Sequence, residues 1–295
     1  MKKNALIALS MIMLSVFSFT FTSCGDDDDD DAPVIVTPKY AEDAALYQIS
    51  GKSDITSIEF TEDGMYIITK ANESSKAKGW GKFVKSKSIS SFTRSESDAY
   101  NYIFGKYTKN GDVYTLEGFG TITVEKKGDV NVSLKIQPTG KEAYTLSAQP
   151  VKKFDDSEII NKLCRTWKFE NGRLVVKKGD SVVVDKTSTQ LSVLSTTLDS
   201  VYHESPDNYY DVEEVIFTKS GSYIVKYTDN TLAVAQWKWK DENKGLIYFT
   251  WEYGKFDEES VIEVSFDKNN DLVVDETWNW HDSTDHFTYH LSKTE

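Results

Sequence analysis

The sequence predicts an all-β protein, two antiparallel β domains on an N-terminal tether, and three observations predict it. Apolar and polar residues alternate with period two over most of the chain from residue 46 onward, the pattern of half-buried strands. The sharpest example is Leu232 to Tyr253. There Ala233, Ala235, Trp237 and Trp239 share one side, and after the polar turn Asp241–Gly245 the chain returns with Ile247, Phe249, Trp251 and Tyr253 on a matching side. Third, Phe60-Thr61-Glu62-Asp63-Gly64-Met65-Tyr66-Ile67 and Phe217-Thr218-Lys219-Ser220-Gly221-Ser222-Tyr223-Ile224 share Phe, Thr, Gly, Tyr and Ile at equal spacing. Each is a strand, a glycine-containing turn and a strand, so the repeat is either a duplicated domain or two hairpins alike by β propensity.

At the N-terminus, Lys2 and Lys3 precede an apolar run from Ala5 to Phe21 that ends at Thr22-Ser23-Cys24. Such a run, soon followed by charge, is expected to be a secretory signal peptide over residues 1–23. Small residues directly before Cys24 resemble a bacterial lipobox, which implies cleavage and a lipidated Cys24. Residues 24–39 then form the expected tether. Its six aspartates, Asp26 to Asp31, repel one another and stay solvated. An acidic run at this place also resembles the surface-export signal of lipoproteins from Bacteroides-type bacteria, implying an outer-membrane protein exposed at the cell surface; a spacer on the periplasmic side is the alternative.

The whole chain carries 34 basic and 47 acidic residues, a net charge of −13. Such a surface repels phosphate backbones and anionic headgroups, so nucleic acid is not an expected partner and membrane contact is left to the lipid anchor. The chain has 2 cysteines. With Cys24 acylated, Cys164 has no partner for a disulfide, and it reads as a small apolar filler.

The first β domain is expected over residues 40–152, with strands near 46–50, 56–61, 65–71, 79–84, 88–93, 101–108, 112–118, 120–125, 130–137 and 142–149. Asn110-Gly111 is the strongest short hairpin signal among their turns. The Ser- and Lys-rich stretches 72–78 and 85–98 read as loops or protected edges.

The second domain is expected over residues 153–295. Asp155 and Glu158 stand at capping-box spacing before Ile159, Ile160 and Leu163, predicting a short helix. A strand with Trp167 and Phe169 on one face follows, with a turn expected at Gly172 and hydrophobic runs at 174–176 and 182–184. A leading turn, a first strand carrying a tryptophan, and a later Phe-x-x-x-Gly-x-Tyr hairpin resemble lipocalin-like domains common in lipoproteins of Bacteroides-type bacteria. The resemblance spans roughly residues 155 to 295. It implies an up-and-down antiparallel barrel, often with a cavity and usually without catalysis, with Trp167 closing one end. The lipocalin Gly-x-Trp is replaced here by Arg165-Thr166-Trp167.

Leu191, Leu194, Leu198 and Val201 recur at helical spacing, predicting an inserted helix that closes a hydrophobic end of the barrel or covers its mouth. Beyond the central hairpin, Leu272, Val274, Glu276, Trp278 and Trp280 share a face. Glu276 is the odd member, because a buried carboxylate needs a partner; it is salt-bridged, near the barrel mouth, or placed to hydrogen-bond a ligand. The candidate ligand-binding residues are therefore Trp237, Trp239, Trp251, Tyr253, Glu276, Trp278 and Trp280.

Catalytic and metal motifs are weak. His286 and His290 sit on one strand four residues apart, about 13 Å at the usual rise, too far for one metal. Asp267-x-Asn269-x-Asp271 opens like a calcium loop, but Leu272 stands where glycine is required, so a hairpin turn at Asn269-Asn270 is expected. No nucleophile elbow, phosphate loop, CxxC pair or HExxH occurs. The reading that follows is a non-catalytic envelope lipoprotein with no cofactor and no metal. It binds a small hydrophobic molecule or a glycan through its aromatic barrel face; the alternative is an inhibitor or adhesion protein with a filled barrel and exposed loop aromatics such as Tyr209 and Tyr210.

Overall fold

The computed structural model describes residues 38–70, 102–127, 130–205, 209–251, 256, 260–279 and 282–294. The expected signal peptide, Cys24, nearly all of the tether, the strands expected at 79–84 and 88–93, and Tyr253, Trp280 and His281 lie outside them. The chain is nearly all β, and its described strands form two closed antiparallel barrels of eight strands each. Both belong to one compact unit, Ile35–Glu295. None of the described helices is long and apolar enough to cross a membrane.

The first barrel runs up and down in strict chain order: β1 (Ala45–Ile49), β2 (Ile55–Phe60), β3 (Met65–Lys70), β4 (Tyr102–Asn110), β5 (Val113–Leu116), β6 (Gly120–Lys127), β7 (Asn131–Pro138) and β8 (Tyr144–Pro150). Closure is made by β1 and β8, with Tyr47 opposite Pro150 and Ile49 opposite Ala148. Alternation sends Ile58, Phe60, Tyr107, Tyr114, Leu134 and Ile136 inward to a single core. Phe60 stacks on Tyr114 at 3.9 Å between centroids and meets Tyr107 edge-on at 5.1 Å. Three of the buried phenols find backbone acceptors: Tyr66 donates to the Glu117 carbonyl (2.7 Å), Tyr107 to Thr61 (3.0 Å) and Tyr114 to Asp43 (3.1 Å). That lets tyrosine fill a core without leaving a polar atom unpaired.

A short helix α1 (Glu158–Leu163) leads into the second barrel. Its N-cap is Ser157, whose hydroxyl accepts the Ile160 N–H, so the capping position expected at Asp155 lies two residues further on. Ser157 also donates to Glu242 (2.6 Å), a second role that Asp155 cannot fill. The strands are β9 (Thr166–Lys178), β10 (Ser181–Ser188), β11 (Val212–Phe217), β12 (Ser222–Tyr227), β13 (Leu232–Asp241), β14 (Leu246–Thr250), β15 (Val261–Phe266), β16 (Leu272–Asn279) and β17 (Ser283–Lys293), with α2 (Leu191–Tyr202) between β10 and β11. The barrel is closed by β9 against β17, and β10 is a ninth strand hydrogen-bonded to the far half of β9.

One expectation is corrected here. Gly172 is not a turn: β9 runs straight through it. A Cβ there would lie 2.9 Å from Leu194 Cδ1 and 3.0 Å from the Tyr289 ring, so the missing side chain is what lets α2 approach the barrel wall. Of the hydrophobic run 182–184, Val184 packs against the barrel core, whereas Val182 and Val183 are 55% and 47% exposed on β10, which lies outside the closed barrel. The inserted helix forms as its spacing predicts, with Leu191, Leu194 and Leu198 buried in the barrel core.

The sequence repeat falls on β2–β3 and β11–β12, the second and third strands of each barrel, and its geometry is duplicated bond for bond. The Thr61 hydroxyl accepts the Met65 N–H and the Thr218 hydroxyl accepts the Ser222 N–H, each at 3.0 Å. Gly64 and Gly221 both adopt positive φ, 88° and 84°, which explains the shared glycine. Their carbonyls accept the N–H of Tyr107 and Trp237, both at 2.8 Å. Those two aromatics then donate back to the carbonyl of the repeat threonine: Tyr107 to Thr61, and Trp237 Nε1 to Thr218 at 3.2 Å. Even the aromatic ahead of each barrel is matched. Tyr40 N–H donates to Glu62 (2.9 Å) and packs on Tyr107, while Phe154 N–H donates to Lys219 (2.8 Å) and packs on Trp237. The repeat therefore marks structurally equivalent hairpins in the two barrels.

The barrels meet through the outer faces of these hairpins. Ile67 packs with Ile216, Ile224 and Leu232, with Met65, Phe104 and Val234 around them. The continuous apolar runs Met65–Ile68 and Tyr223–Val225 follow from this, since both faces of those strands are buried.

Candidate functional site

The aromatic face read from the sequence lies inside the second barrel, but it does not converge on one point. In an up-and-down barrel successive turns alternate between the two ends. Trp239 lies just before the β13–β14 turn and Trp278 just before the β16–β17 turn, so they belong to opposite ends.

At the first end, α1 and Trp167 form the plug. Trp167 is fully buried, donates Nε1–H to the Leu163 carbonyl (2.9 Å) and lies under the Arg165 guanidinium at 5.8 Å. Trp237 is also buried and sits between Phe154, Phe217 and Trp239. The indole Nε1 of Trp239 is buried with no hydrogen-bond partner. Trp251, buried and 6.0 Å from Tyr223, directly follows β14 and also lines a cavity shared with residues of the first barrel.

The second end lies beneath α2 and is polar. Glu276 is 1% exposed and accepts Trp278 Nε1–H at 3.3 Å. Asp285, wholly buried, accepts the Tyr202 hydroxyl (2.6 Å), which also bonds Ser283 (2.9 Å). Burial first, and the bond to Asp285 next, push the Tyr202 phenol up to about 12. Asp199 on the same helix receives the Tyr209 hydroxyl at 3.0 and 2.9 Å. Tyr209 and Tyr210 are therefore not exposed loop aromatics: both are half-buried, and Tyr210 packs against Tyr227.

The remaining sequence candidates occupy ordinary positions. His286 faces outward between Thr277, Thr288 and Asp275, whose carboxyl it lowers, and His290 is exposed. Asp267 closes a turn by accepting the N–H groups of Asn269 and Asp271, with Asn270 at φ 59°. Cys164 is buried at the end of α1, and desolvation raises its thiol well above the ordinary range, away from reactivity.

Sequence reasoning missed two acids on the first barrel. Glu59 is buried between the barrels, accepting the Thr218 hydroxyl at 2.8 Å, with Ser222 as a second donor. Glu62 accepts the Lys219 N–H at 2.9 Å through one oxygen, and its other oxygen is buried without a partner. Desolvation raises both, Glu59 to about 7 and Glu62 to about 8. The alternation Ile58-Glu59-Phe60 reads as a solvent face. The signal against that reading was the neighbouring run Met65–Ile68, apolar on both sides.

Comparison with protein-family models, with curated proteins and with solved structures finds no match to this chain. A closed barrel with an aromatic interior is an architecture compatible with ligand binding.

Proposed function

We propose that this protein is a non-catalytic lipoprotein of the cell envelope, held by a lipid on Cys24 and exposed at the outer-membrane surface, that binds a small hydrophobic molecule or a glycan in its second barrel. The observation that carries the ligand reading is the buried, unpartnered indole N–H of Trp239 within an aromatic interior. A buried donor without an acceptor costs about 1–3 kcal/mol, and a ligand oxygen would recover it. The lipobox-like Thr22-Ser23-Cys24 and the run Asp26 to Asp31 support the address.

Tryptophan-fluorescence titration of the purified chain with fatty acids, apolar dyes and oligosaccharides tests the binding. The expected result is a saturable change that Trp239→Phe weakens, because phenylalanine keeps the packing and removes the donor. Absence of a response to every probe leaves the filled-barrel reading, which the complete burial of Trp167 and near-complete burial of Trp237 favour. Cys24→Ala tests the anchor separately: it should move the protein from the membrane to the soluble fraction, and wild-type protein already soluble would overturn the anchor.

A further inference from the structure

The contact between the barrels has an apolar side and an acidic side. On the apolar side Ile67, Ile216, Ile224 and Leu232 pack together. On the other, toward the β2–β3 and β11–β12 turns, carboxylates of the first barrel meet donors of the second. Glu59 is 3% exposed and accepts the Thr218 hydroxyl at 2.8 Å, and Glu62 is 1% exposed and accepts the Lys219 N–H at 2.9 Å. Asp63 accepts the Thr166 N–H. Glu59 stands opposite Ile67 in the β2–β3 ladder, so the acidic side begins directly beside the aliphatic patch. Each barrel keeps a core of its own, and residues 151–157 join them.

These buried carboxyls are poorly supplied with positive charge. Lys153, between the barrels in the chain, is the cation that acts on Glu62, but its ammonium is bonded to the Ala41 and Glu42 carbonyls at 3.4 and 3.3 Å, and Asp43 and Asp156 also draw on it. The Lys219 ammonium is turned to Asp156 and Asn161. Arg165 is held by the Asn161 carbonyl and acts on Asp63. The other titratable neighbours of Glu62, Tyr107 and Cys164, are kept neutral by burial, and Glu59 and Glu62 repel each other. Among the described residues, one Glu62 oxygen has no hydrogen-bond partner. An ionised pair here loses hydration that its neighbours do not replace, which is why burial raises Glu59 to about 7 and Glu62 to about 8. Full hydration of the pair requires the two turns to part.

We propose that the acidic side of this contact is a proton-operated joint: protonated, Glu59 and Glu62 keep the β2–β3 and β11–β12 turns together, and loss of their protons parts the turns about the aliphatic patch while both barrels stay folded. The closed form holds these protons more tightly than a form in which water reaches the carboxyls, so rising pH favours the open form. The bond from Thr166 to Asp63 opens with the turns. The chain between the barrels permits the movement. Val151 N–H is tied to Leu46 of the first barrel and Phe154 N–H to Lys219 of the second, each at 2.8 Å, which leaves Lys152 and Lys153 as the hinge. The joint does not depend on the reading of the barrel interior.

Nitroxide labels on Val113→Cys of the first barrel and Val182→Cys of the second, both exposed positions, test this in the soluble chain, Cys24→Ala with residues 1–23 removed. Distances from pulsed electron resonance should be constant between about pH 5 and about pH 6 and gain a longer component as pH rises through about 7 and about 8. Far-UV circular dichroism should stay unchanged over that range. The double variant Glu59→Gln, Glu62→Gln keeps both acceptors and has no proton to lose, so the longer component should be absent from it at every pH. Circular dichroism melts confirm that it folds; if it does not, Glu62→Gln alone carries the comparison and should show a smaller longer component than the wild type. Wild-type distances that do not change up to about pH 9 overturn the proposal. So does a longer component that persists undiminished in the glutamine variants, or one that appears only with loss of ellipticity, which would make it unfolding of a barrel instead of movement at a joint.

Discussion

The two barrels share one mechanical end and differ at the other. At the plugged end, the threonine, glycine and aromatic of each repeat make the same bonds, with Tyr107 in one barrel doing through a phenol what Trp237 does in the other through an indole. At the opposite end, β1 passes to β2 through a short turn, whereas β9 is extended to thirteen residues and followed by β10 and α2 before β11 begins. The insertion brings the buried acid Asp199 and the phenols Tyr202 and Tyr209, and Tyr202 donates to the buried Asp285 of β17. What was kept is what closes a barrel. What changed is the end that has to be covered.

The comparison breaks first at the plug. Trp237→Ala and Tyr107→Ala remove equivalent side chains from two well-packed cores, and each should cost about 3–5 kcal/mol, measured by urea denaturation. A loss below about 1 kcal/mol for either would mean that its barrel is not closed by that residue.

Next in size is a pH effect confined to the contact. Glu59 and Glu62 belong to the first barrel, and their counterparts in the repeat are Ile216 and Lys219. Both folded-state values, about 7 and about 8, lie above those of an unfolded chain, so the folded protein binds more protons between pH 5 and 8. Stability should therefore be highest below pH 5 as far as these groups are concerned and fall as pH rises from 5 through 8. Glu62→Gln should flatten part of that slope in chemical denaturation followed across pH. An unchanged slope would place both acids in water.

The inserted helix gives a smaller effect. Gly172→Ala puts a methyl against Leu194 and Tyr289, and overpacking of this kind costs about 1–3 kcal/mol. Faster amide exchange in α2, with β1–β8 unaffected, would locate the damage. The smallest change sharpens the equivalence: Tyr107→Phe keeps the ring and strips the Thr61 carbonyl of one donor, for about 1 kcal/mol by thermal melting.

Much of this architecture was legible in the chain. Period-two alternation located every described strand of the first barrel to within a few residues, because each wall has one wet and one dry face. The helical spacing of Leu191, Leu194 and Leu198 located α2 for the same reason. Gly172 misled because a glycine within a strand and a glycine at a turn are alike in sequence; only the approach of Leu194 separates them. Trp237, Trp239 and Trp278 read as one face because alternation reports inside against outside and is silent on height along the barrel axis. Glu59 and Glu62 were invisible for a third reason. They arise where two walls meet, and the partner wall is more than 150 residues away in the chain.

Tandem linkage of the repeats has a consequence for how such a contact can evolve. Two separate copies related by a twofold axis must present the same surface to each other, so every substitution appears twice. A glutamate at the position of Glu59 would then appear in both copies at the contact. Joined in one chain, the copies are free of that constraint. One side carries the acid, the other has Ile216 at the equivalent position and supplies Thr218 as donor, and the contact has a front and a back that no homodimer of either half possesses.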